Sequence, residues 1–446
     1  MNNWKKIKLG NILTESKVEA LNSNSKERIR VLLNANGVIK RPLMIETEGA
    51  TKYFQRKTGQ FIYGKQNLHK GAFGIIPLEL DGYSSSSDLP AFDVDECCLP
   101  EWLDYFLRQG NFYESLIDIA KGAATKRIQP KELFKIEIPL PSVSIQKTVI
   151  ESFVKKETKQ KLIGSEIQTQ KQLLTNLKQA ILQDAIQGKL TEEWRLRHPE
   201  LVSGSHSADN LLKRIKAEKA LLSKEGKIKK EKPLPQIKKE EIPFEIPNSW
   251  AWCRLGDLCS KTGSGSTPSG GQSAYVESGI KFLRSQNIYN DGLRLNGVAF
   301  ITQKTHEKMK GTKVQSEDLL LNITGGSIGR CCIVSKEFDT GNINQHVAII
   351  RTVDTNLGYY LHNIILSSYF QKEIINVQTG AGREGLPKNK MDNMLIPLPT
   401  IEEQKAIVKK VEELMQKCAA LEEEINQSET NAQMLMQAVL KEAFES

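Results

Sequence analysis

The sequence predicts an α+β protein made of two similar halves. It contains two α+β domains separated by two long helices, which pair as an antiparallel coiled coil about an internal pseudo-two-fold axis. Ile138-Pro139-Leu140-Pro141 recurs as Ile396-Pro397-Leu398-Pro399, and the same shift of 258 positions places Gln146 on Gln404 without a gap. A second match, of residues 4–10 with residues 250–256, marks the start of each domain. Self-similarity at a fixed offset is typical of duplicated structure.

Each copy of the proline motif leads into a long helix. Thr400 and Glu403 form a predicted capping box at the start of the second helix. Apolar residues then step by three and four, which predicts a heptad seam, and Gln170 and Ser428 occupy equivalent polar positions in it. The alternative is that each helix packs only on its own domain. The predicted seam residues are Phe153, Ile163, Ile167, Leu174, Leu177, Ile181, Val411, Leu414, Cys418, Leu421, Ile425, Leu435 and Val439.

The two matches divide the chain into five segments. These are a first globular domain (1–141), a first long helix (142–190), a basic connector with a helix (191–246), a second globular domain (247–399) and a second long helix (400–446). Apolar runs predict strands near 30–33, 60–63, 73–77 and 135–138, and near 280–283, 319–323, 332–334 and 347–350. Helices are predicted over 99–113 and 358–370, so each globular domain is α+β.

The connector is rich in lysine and broken by prolines between Lys227 and Lys239. Such a segment is typical of a solvated linker. It is also suited to contact with a DNA backbone or with a partner protein, because a run of like charges attracts an acidic surface. The sequence leaves both interpretations open.

The composition favours an acidic partner. The chain carries 62 Lys and Arg against 53 Asp and Glu, a net charge of +9, with pI near 9.0. It has no run of 18 apolar residues and no signal peptide, so we expect a cytoplasmic protein with no membrane partner. Its seven cysteines include no Cys-x-x-Cys pair, so neither a zinc site nor a disulfide framework is expected.

Catalytic motifs are not found in the sequence. It contains neither the Asn/Asp-Pro-Pro-aromatic motif of amino-methyltransferases nor a phosphate loop ending in Gly-Lys-Ser/Thr. The six histidines are scattered without metal-ligand spacing. We therefore expect no catalytic residue, no metal and no cofactor in this chain, and a non-enzymatic role.

Polar and basic residues gather in the predicted loops of both domains. Arg, Lys, Asn and Gln are the side chains that read guanine and adenine edges, and Ser, Thr and Lys commonly hold phosphates. The candidate DNA-binding residues in the first domain are Lys65, Gln66, Asn67, His69, Lys70, Lys126 and Arg127. In the second domain they are Ser264, Ser266, Thr267, Arg284, Ser285, Asn287, Asn322, Thr324, Arg330, Asn344, Gln345, His346 and Arg383.

Taken together, the chain resembles the specificity (S) subunit of a type I restriction-modification system. The two Ile-Pro-Leu-Pro motifs with Gln146 and Gln404, the paired helices, the stretch from Gln187 to Arg195, and Ile242-Pro-Phe-Glu-Ile-Pro247 before Trp252 carry this resemblance. It implies that the globular domains are target-recognition domains, each of which reads one half of a split, asymmetric DNA target. The first domain lacks a Gly/Thr/Pro loop after Gly10, so the two half-sites are expected to differ.

The resemblance also implies partners. In this family the helices set the gap between the half-sites and dock two methyltransferase (M) subunits, and motor-nuclease (R) subunits join the complex. S-adenosylmethionine, ATP and magnesium are then bound by those partners and not by this chain. Two alternatives remain: a non-enzymatic coiled-coil scaffold with two protein-binding domains, and a divergent stand-alone DNA enzyme.

Overall fold

A computed structural model describes residues 4–20, 26–42, 52–109, 112–122, 125–203, 206–268, 270, 274–377 and 385–445, except for the side chains of 436, 437 and 439–445. The chain divides into two compact units. The first unit contains Met1–Gln170 and Glu424–Ser446, and the second contains Lys171–Glu423. Each unit therefore combines one globular domain with parts of both long helices.

The first unit is built on a four-stranded antiparallel sheet in the order β2-β9-β6-β7. Its strands are β1 (Lys6–Lys8), β2 (Leu13–Ser16), β3 (Ile29–Val31), β4 (Val38–Lys40), β5 (Tyr53–Gln55), β6 (Phe61–Tyr63), β7 (Phe73–Ile75), β8 (Ser84–Ser86), β9 (Ala91–Val94) and β10 (Glu137–Pro139). Its helices are α1 (Pro100–Arg108), α2 (Phe112–Ser115), α3 (Pro130–Leu133) and the first part of α4 (Val143–Ile186). Further pairs are β1-β10, β3-β4 and β5-β8.

An aromatic core joins this sheet to α1. Phe61, Tyr63, Phe92 and Trp102 are fully buried, and the rings of Tyr63 and Phe92 stack at 5.9 Å. Burial of such large side chains is the main stabilising contribution to a unit of this size. Helix α1 begins at Pro100, where a proline costs nothing because the first amide of a helix has no partner within the helix.

The second unit contains a four-stranded antiparallel sheet (β12-β22-β19-β20) and a mixed five-stranded sheet (β13-β17-β14-β21-β18). Its strands are β11 (Ala251–Arg254), β12 (Cys259–Ser264), β13 (Tyr275–Val276), β14 (Ile280–Leu283), β15 (Ile288–Tyr289), β16 (Gly292–Leu293), β17 (Ala299–Ile301), β18 (Lys313–Val314), β19 (Leu319–Asn322), β20 (Cys331–Ile333), β21 (Gly341–Ile343), β22 (Val347–Thr352) and β23 (Leu395–Leu398). Its helices are α5 (Glu192–Arg197), α6 (Ala208–Lys224), α7 (Leu255–Leu258), α8 (Gln303–Lys308), α9 (Leu357–Leu366), α10 (Ser368–Asn376), α11 (Lys388–Asn393) and the first part of α12 (Ile401–Glu445). The end of α4 also belongs to this unit.

The internal repeat of the sequence is confirmed in hydrogen bonds. Strand β1 pairs with β10 so that Ile7 faces Ile138, and β11 pairs with β23 so that Cys253 faces Ile396. The indole of Trp102 donates to the carbonyl of Pro139 at 2.9 Å, and the Tyr360 hydroxyl donates to that of Pro397 at 2.7 Å. Both pairs of donor and acceptor are related by the offset of 258. The repeat therefore extends well before the proline motif.

The same offset continues back to β5. Strand β5 places Gln55 opposite Ser84, and β18 places Lys313 opposite Asn342. Before these strands the offset is 246, because the segment joining β12 to β18 is 12 residues longer than the one joining β2 to β5. That longer segment supplies β13 and β17, which widen the second sheet of the second unit. The two units share a framework and differ in this segment.

Two predicted helices are interrupted. The helix predicted over 99–113 is wrong in extent, since α1 ends at Arg108 and α2 begins at Phe112. The helix predicted over 358–370 ends at Leu366, because Ser367 takes an extended conformation and its hydroxyl accepts the Phe370 amide to cap α10. Serine favours such caps because its short side chain satisfies an otherwise unpaired amide.

In the second unit the two long helices lie side by side and antiparallel. Lys178 of α4 pairs with Glu422 of α12 at 2.8 Å, and Arg195, just beyond α4, pairs with Glu403 at 2.5 Å. The partner in α12 has a lower residue number when the residue in or after α4 has a higher one. This confirms the predicted antiparallel direction. Helix α4 ends at Ile186, and Gly188 follows in the left-handed region, with φ of 75°.

The predicted seam is only partly buried. Ile167, Leu174, Ile181, Val411 and Cys418 are at most 7% exposed, and Leu414 and Ile425 are half-buried. Phe153 is buried for another reason, since its ring lies 4.8 Å from that of Tyr105 in α1 and so packs on the globular domain. The prediction differs from the structure at four exposed positions, and the Val439 side chain lies outside the described residues. The exposed residues are Ile163, Leu177, Leu421 and Leu435.

Glu403 is the buried centre of the helix junction. Its carboxylate accepts from the Thr191 hydroxyl at 2.8 Å, the Arg195 guanidinium at 2.5 Å and the Trp250 indole at 2.8 Å, and it is 0% exposed. The predicted capping box is therefore half correct. The Thr400 hydroxyl accepts the Glu403 amide at 3.3 Å, but the Glu403 side chain binds these three donors. The junction ties the chain after α4, the start of β11 and the start of α12 together.

Each Leu-Gly pair of the repeat lies where two backbones approach closely. A Cβ on Gly10 would lie 2.9 Å from Cβ of Phe134, and one on Gly256 would lie 3.1 Å from Cβ of Asp392 and 2.9 Å from Cδ1 of Leu234. Phe134 and Asp392 are again related by the offset of 258. Because Gly10 and Gly256 lack a side chain, Phe134 at the end of α3 and Asp392 of α11 can pack closely against them.

We expect Gly256→Ala to lower the free energy of unfolding by about 1–3 kcal/mol, because the added methyl group overpacks this contact. Chemical denaturation measures the change. Gly311→Ala is the matched control, since a Cβ there meets nothing within 4 Å, and its effect should stay within about 0.5 kcal/mol. Equal stability of the Gly256 variant and wild type would contradict the close-contact explanation.

Candidate nucleic-acid interface

The predicted residues of the first domain come together around the turn after β6. The Lys65 amide donates to the carbonyl of Asp88 at 3.0 Å, and the Ile128 amide donates to the carbonyl of Lys65 at 2.8 Å. These bonds place three segments side by side: residues 65–70, the connection between β8 and β9, and residues 126–128. The Asn67 carbonyl closes the turn by accepting the Lys70 amide at 2.9 Å. Lys65, Gln66, Asn67, His69, Lys70, Lys126 and Arg127 thus form one polar surface, which we call the first cluster.

The first cluster is strongly basic. Lys70 and Lys126 are exposed, and Arg127 lies 3.8 Å from Asp88. Burial, and then the charges of Lys70 and Lys126, lower the pKa of His69, so this ring is neutral at pH 7. Its Nδ1 atom is buried and has no hydrogen-bond partner within the described residues. Exposed ammonium and guanidinium groups around a neutral ring suit phosphate and base contacts.

The second unit repeats this arrangement with different side chains. The Ile323 amide donates to the carbonyl of His346 at 3.0 Å, and the Leu386 amide donates to the carbonyl of Ile323 at 2.9 Å. These are the two bonds of the first cluster moved by 258 positions. The predicted residues at 324–330 and 344–346 therefore stand where the first cluster stands in its own unit.

A chain of hydrogen bonds links three loops here. Thr267 bonds to the Gln345 side-chain oxygen, Nε2 of Gln345 lies 3.1 Å from Nε2 of His346, and Nδ1 of His346 lies 2.6 Å from the Thr324 hydroxyl. If the Gln345 amide donates to His346, then Nδ1 of the ring carries the proton and donates to Thr324. The Thr324 hydroxyl hydrogen is then available to a ligand. We call Thr267, Thr324, Gln345 and His346 the second cluster.

Further predicted residues border the second cluster. Ser264 and Ser266 are exposed at the end of β12 and just beyond it, and Arg284 and Ser285 are half-buried after β14. Asn344 is 8% exposed, and its side chain accepts the His346 amide at 3.1 Å, so it shapes the loop. Arg383 lies outside the described residues.

Two predicted contact residues are structural instead. Asn287 is 1% exposed, accepts the Arg284 amide at 3.0 Å and donates to the Arg294 carbonyl at 2.8 Å. Asn322 is fully buried, and its amide donates to the Ser285 carbonyl at 2.9 Å and the Ser327 hydroxyl at 3.0 Å. Both predictions were wrong because these amides hold loops together in the interior.

An aromatic residue that was not among the predicted contact residues lies beside Arg330. The ring of Tyr289, at the end of β15, has the guanidinium of Arg330 at 5.0 Å and that of Arg294 at 5.1 Å from its centroid. Tyr289 is 38% exposed. Arginine stacked on an exposed aromatic ring suits contact with bases and phosphates. In the sequence, Tyr289 lies between Arg284 and Arg294, and this pattern could have predicted its place at the interface.

The comparisons with known proteins agree with this geometry. Residues 247–428 match the family model of the type I restriction modification DNA specificity domain. The specificity subunit of type I restriction enzyme EcoAI from Escherichia coli is 32% identical over 248 residues, which cover 55% of this chain and 40% of that protein. The EcoKI specificity subunit of Escherichia coli K12 is 23% identical over 351 residues, 77% of this chain and 64% of that protein. The chain thus spans from two fifths to less than two thirds of the length of these relatives.

Solved structures share the fold. A structure described as the basis of complex assembly and conformational transition of the type I R-M system matches with TM-score 0.65 and 17% identity, covering 100% of this chain and 98% of that one. The crystal structure of the HsdS subunit from Thermoanaerobacter tengcongensis matches with TM-score 0.51 and 16% identity, covering 99% and 97%. The second unit thus carries a type I DNA specificity domain. The chain is thus similar to the specificity subunits of type I restriction-modification systems, and the family model matches it over residues 247–428.

Among the residues that the structure describes, no helix combines the length and the apolar character that a membrane crossing requires.

Proposed function

We propose that this chain reads DNA sequence for a type I restriction-modification complex in the cytoplasm. Each unit contacts one half of a bipartite target, the first through the first cluster and the second through the second cluster. The chain itself carries out no reaction. Two methyltransferase subunits dock on its helices and motor-nuclease subunits join them, and these partners bind S-adenosylmethionine, ATP and magnesium.

One observation carries this proposal: the two clusters occupy the same place in a duplicated framework and yet share no side chain. Lys65 corresponds to Ile323, His69 to Ser327 and Asp88 to His346 under the offset of 258. The two backbone hydrogen bonds that join the segments of each cluster are the same in both units. A duplicated frame that keeps its bonds and changes its exposed residues is suited to reading two different half-sites, since base edges are distinguished by the donors and acceptors presented to them.

Methylation mapping tests the proposal. The chain is expressed with the methyltransferase subunit encoded beside it, in a host free of other DNA methylation, and methylated adenines are located by sequencing. We expect one split motif with two unlike half-sites and a fixed gap, present only when this chain is present. A soluble complex that leaves no chain-dependent mark would favour the coiled-coil scaffold instead.

The second cluster can be assigned to one half-site by substitution. We expect Gln345→Ala with His346→Ala to reduce methylation of the mapped target about 10- to 100-fold and to relax one or two positions of one half-site only, since a good base contact contributes about 1–3 kcal/mol of discrimination. The other half-site should keep its sequence. Gln303→Ala is the control, because this glutamine lies on α8, where its side chain donates to Glu307 of the same helix at 3.1 Å. Changes in both half-sites would contradict the one-unit, one-half-site assignment.

A further inference from the structure

Within the connector, α6 and the chain at 228–234 enclose a cleft. This cleft is not part of the candidate interface described above. The cleft has a volume of about 610 Å³ and lies between one face of α6, the chain at 228–234 and Asp257. Six of its lining residues are lysines, and we call it the lysine cleft. They are Lys216, Lys219, Lys224, Lys229, Lys230 and Lys232.

The connector is fixed in place by an arginine. Arg254 is 4% exposed and donates to the carbonyl of Pro235 at 2.8 Å and to the Glu241 carboxylate at 3.0 and 3.1 Å. Lys219 of α6 donates to the carbonyl of Gly256 at 2.6 Å. Both sides of the lysine cleft are therefore anchored to the globular domain at these points, while the lysines of residues 229–232 remain exposed to solvent.

The positive charge of the cleft is only partly balanced. Asp257 pairs with Lys216 at 3.2 Å, and Glu231 pairs with Lys219 at 3.4 Å and with Lys388 at 2.9 Å. In the part of the chain that the structure describes, no carboxylate lies within 4 Å of the four remaining ammonium groups of the cleft. Gathering like charges in a concave surface raises the local potential and attracts anions.

The cleft is also connected to the candidate interface. Lys388 bonds at the same time to Glu231 of the cleft and to the Thr262 hydroxyl of β12, at 2.9 and 2.7 Å. Strand β12 ends at Ser264, where the loop that carries Thr267 begins. Burial, then Arg351, and also Lys229 of the cleft lower the pKa of Lys261 on the same strand. The lysine cleft and the second cluster thus belong to the same unit and are linked through Lys388 and β12.

We infer that the lysine cleft binds the phosphate backbone of duplex DNA beside the half-site read by the second unit. This inference rests on the proposed function and adds a contact that carries no sequence information. Exposed lysines act as mobile point charges, which suit a polyanion of repeating phosphates. Glycine-rich loops at helix N-termini are a common site for a free nucleotide, whereas these lysines lie along a helix face and an extended segment.

The test compares two triple variants of the full chain, each assembled, like wild type, with the methyltransferase subunits that the proposed function requires. Lys229, Lys230 and Lys232 are replaced by glutamine in one, and Lys304, Lys308 and Lys310 by glutamine in the control, whose lysines are exposed on and just after α8 of the same unit. Binding to duplexes with the mapped target, and with the same target scrambled, is measured by fluorescence anisotropy at several salt concentrations. Both variants lose the same charge.

We expect the cleft variant to bind both duplexes about tenfold more weakly at roughly 0.1 M salt, and the slope of log K against log salt to become shallower by about 2–3, because each phosphate contact contributes about 0.9 to that slope. The control variant should keep the wild-type slope. Equal losses in both variants would overturn the inference, since net charge alone would then explain them.

Two other outcomes are distinguishable. If wild type binds no duplex, the proposed function fails; if wild type binds and the cleft variant keeps its affinity and slope, only the lysine cleft inference fails. Inorganic phosphate and ATP are tested separately by calorimetry. Saturable binding of either one that disappears in the cleft variant, with DNA binding unchanged, would assign the cleft to a free phosphate compound and overturn the inference.

Discussion

Glu403→Gln is expected to lower the free energy of unfolding of the second unit by about 3 kcal/mol, because it breaks a buried ion pair by removing one partner. One carboxylate oxygen accepts from Thr191 and Arg195, and the other accepts from Trp250. A glutamine amide nitrogen must face one of these donors, whichever way the amide is turned. The variant therefore loses a hydrogen bond together with the charge. Urea denaturation measures the loss, and hydrogen exchange at 251–254 locates it.

Glu402→Gln provides the matched control. Glu402 is the preceding residue on the same helix, its side chain is 43% exposed, and its partner Lys405 is also exposed. Exposed pairs contribute about 0–1 kcal/mol, so this variant should behave as wild type. Similar stability losses in both variants, or faster exchange spread over the first unit as well, would show that Glu403 is not the specific support of this junction.

Lengthening both long helices by one heptad is expected to lengthen the unread gap in the DNA target by about three base pairs. Seven residues add about 10.5 Å at 1.5 Å per residue, and base pairs are about 3.4 Å apart. The insertions follow Gln170 in α4 and Glu423 in α12, where each helix passes from one unit to the other. A whole heptad keeps the apolar residues in phase, so the helix pair should tolerate it. Sequencing of methylated DNA reports the gap and both half-sites at once.

The same seven residues inserted after Gly226 form the control. Gly226 follows α6 with φ of 72°, and a Cβ placed on it meets nothing within 4 Å. This insertion lengthens the connector and leaves both helices unchanged, so the gap should keep its length. An unchanged gap after helix insertion, or altered bases within a half-site, would contradict the role of the helices as a spacer.

The framework could be predicted from the sequence because it depends on backbone and apolar patterns. The proline motifs, Gln146 and Gln404 show the duplication directly, since the two glutamines donate to the carbonyls of Pro141 and Pro399 in the same way, both at 2.9 Å. Heptad spacing similarly identified the helices and the buried residues Leu174 and Val411. Such patterns are local, and a single sequence is enough to show them.

The predictions that failed concern which way a polar side chain points. Asn287 and Asn322, like Gln345, are amide side chains in predicted polar loops. Their hydrogen-bond partners, however, are backbone carbonyls that come near only in the folded chain. The cap residue Glu403 could not be assigned to Arg195 for the same reason, because local spacing offered Thr400 as a sufficient partner. A loop residue's role depends on contacts far away in sequence, which periodicity does not encode.

The long separations at the Glu403 junction have a consequence for synthesis. Thr191, Arg195 and Trp250 precede Glu403 by 212, 208 and 153 residues. At about 5–20 residues per second, Glu403 follows Thr191 out of the ribosome after roughly 10–40 s. Throughout that interval the nascent second domain has its arginine and its indole in place without the carboxylate that joins them. The junction therefore closes late in synthesis, only after residue 403 has emerged and can reach the arginine and the indole.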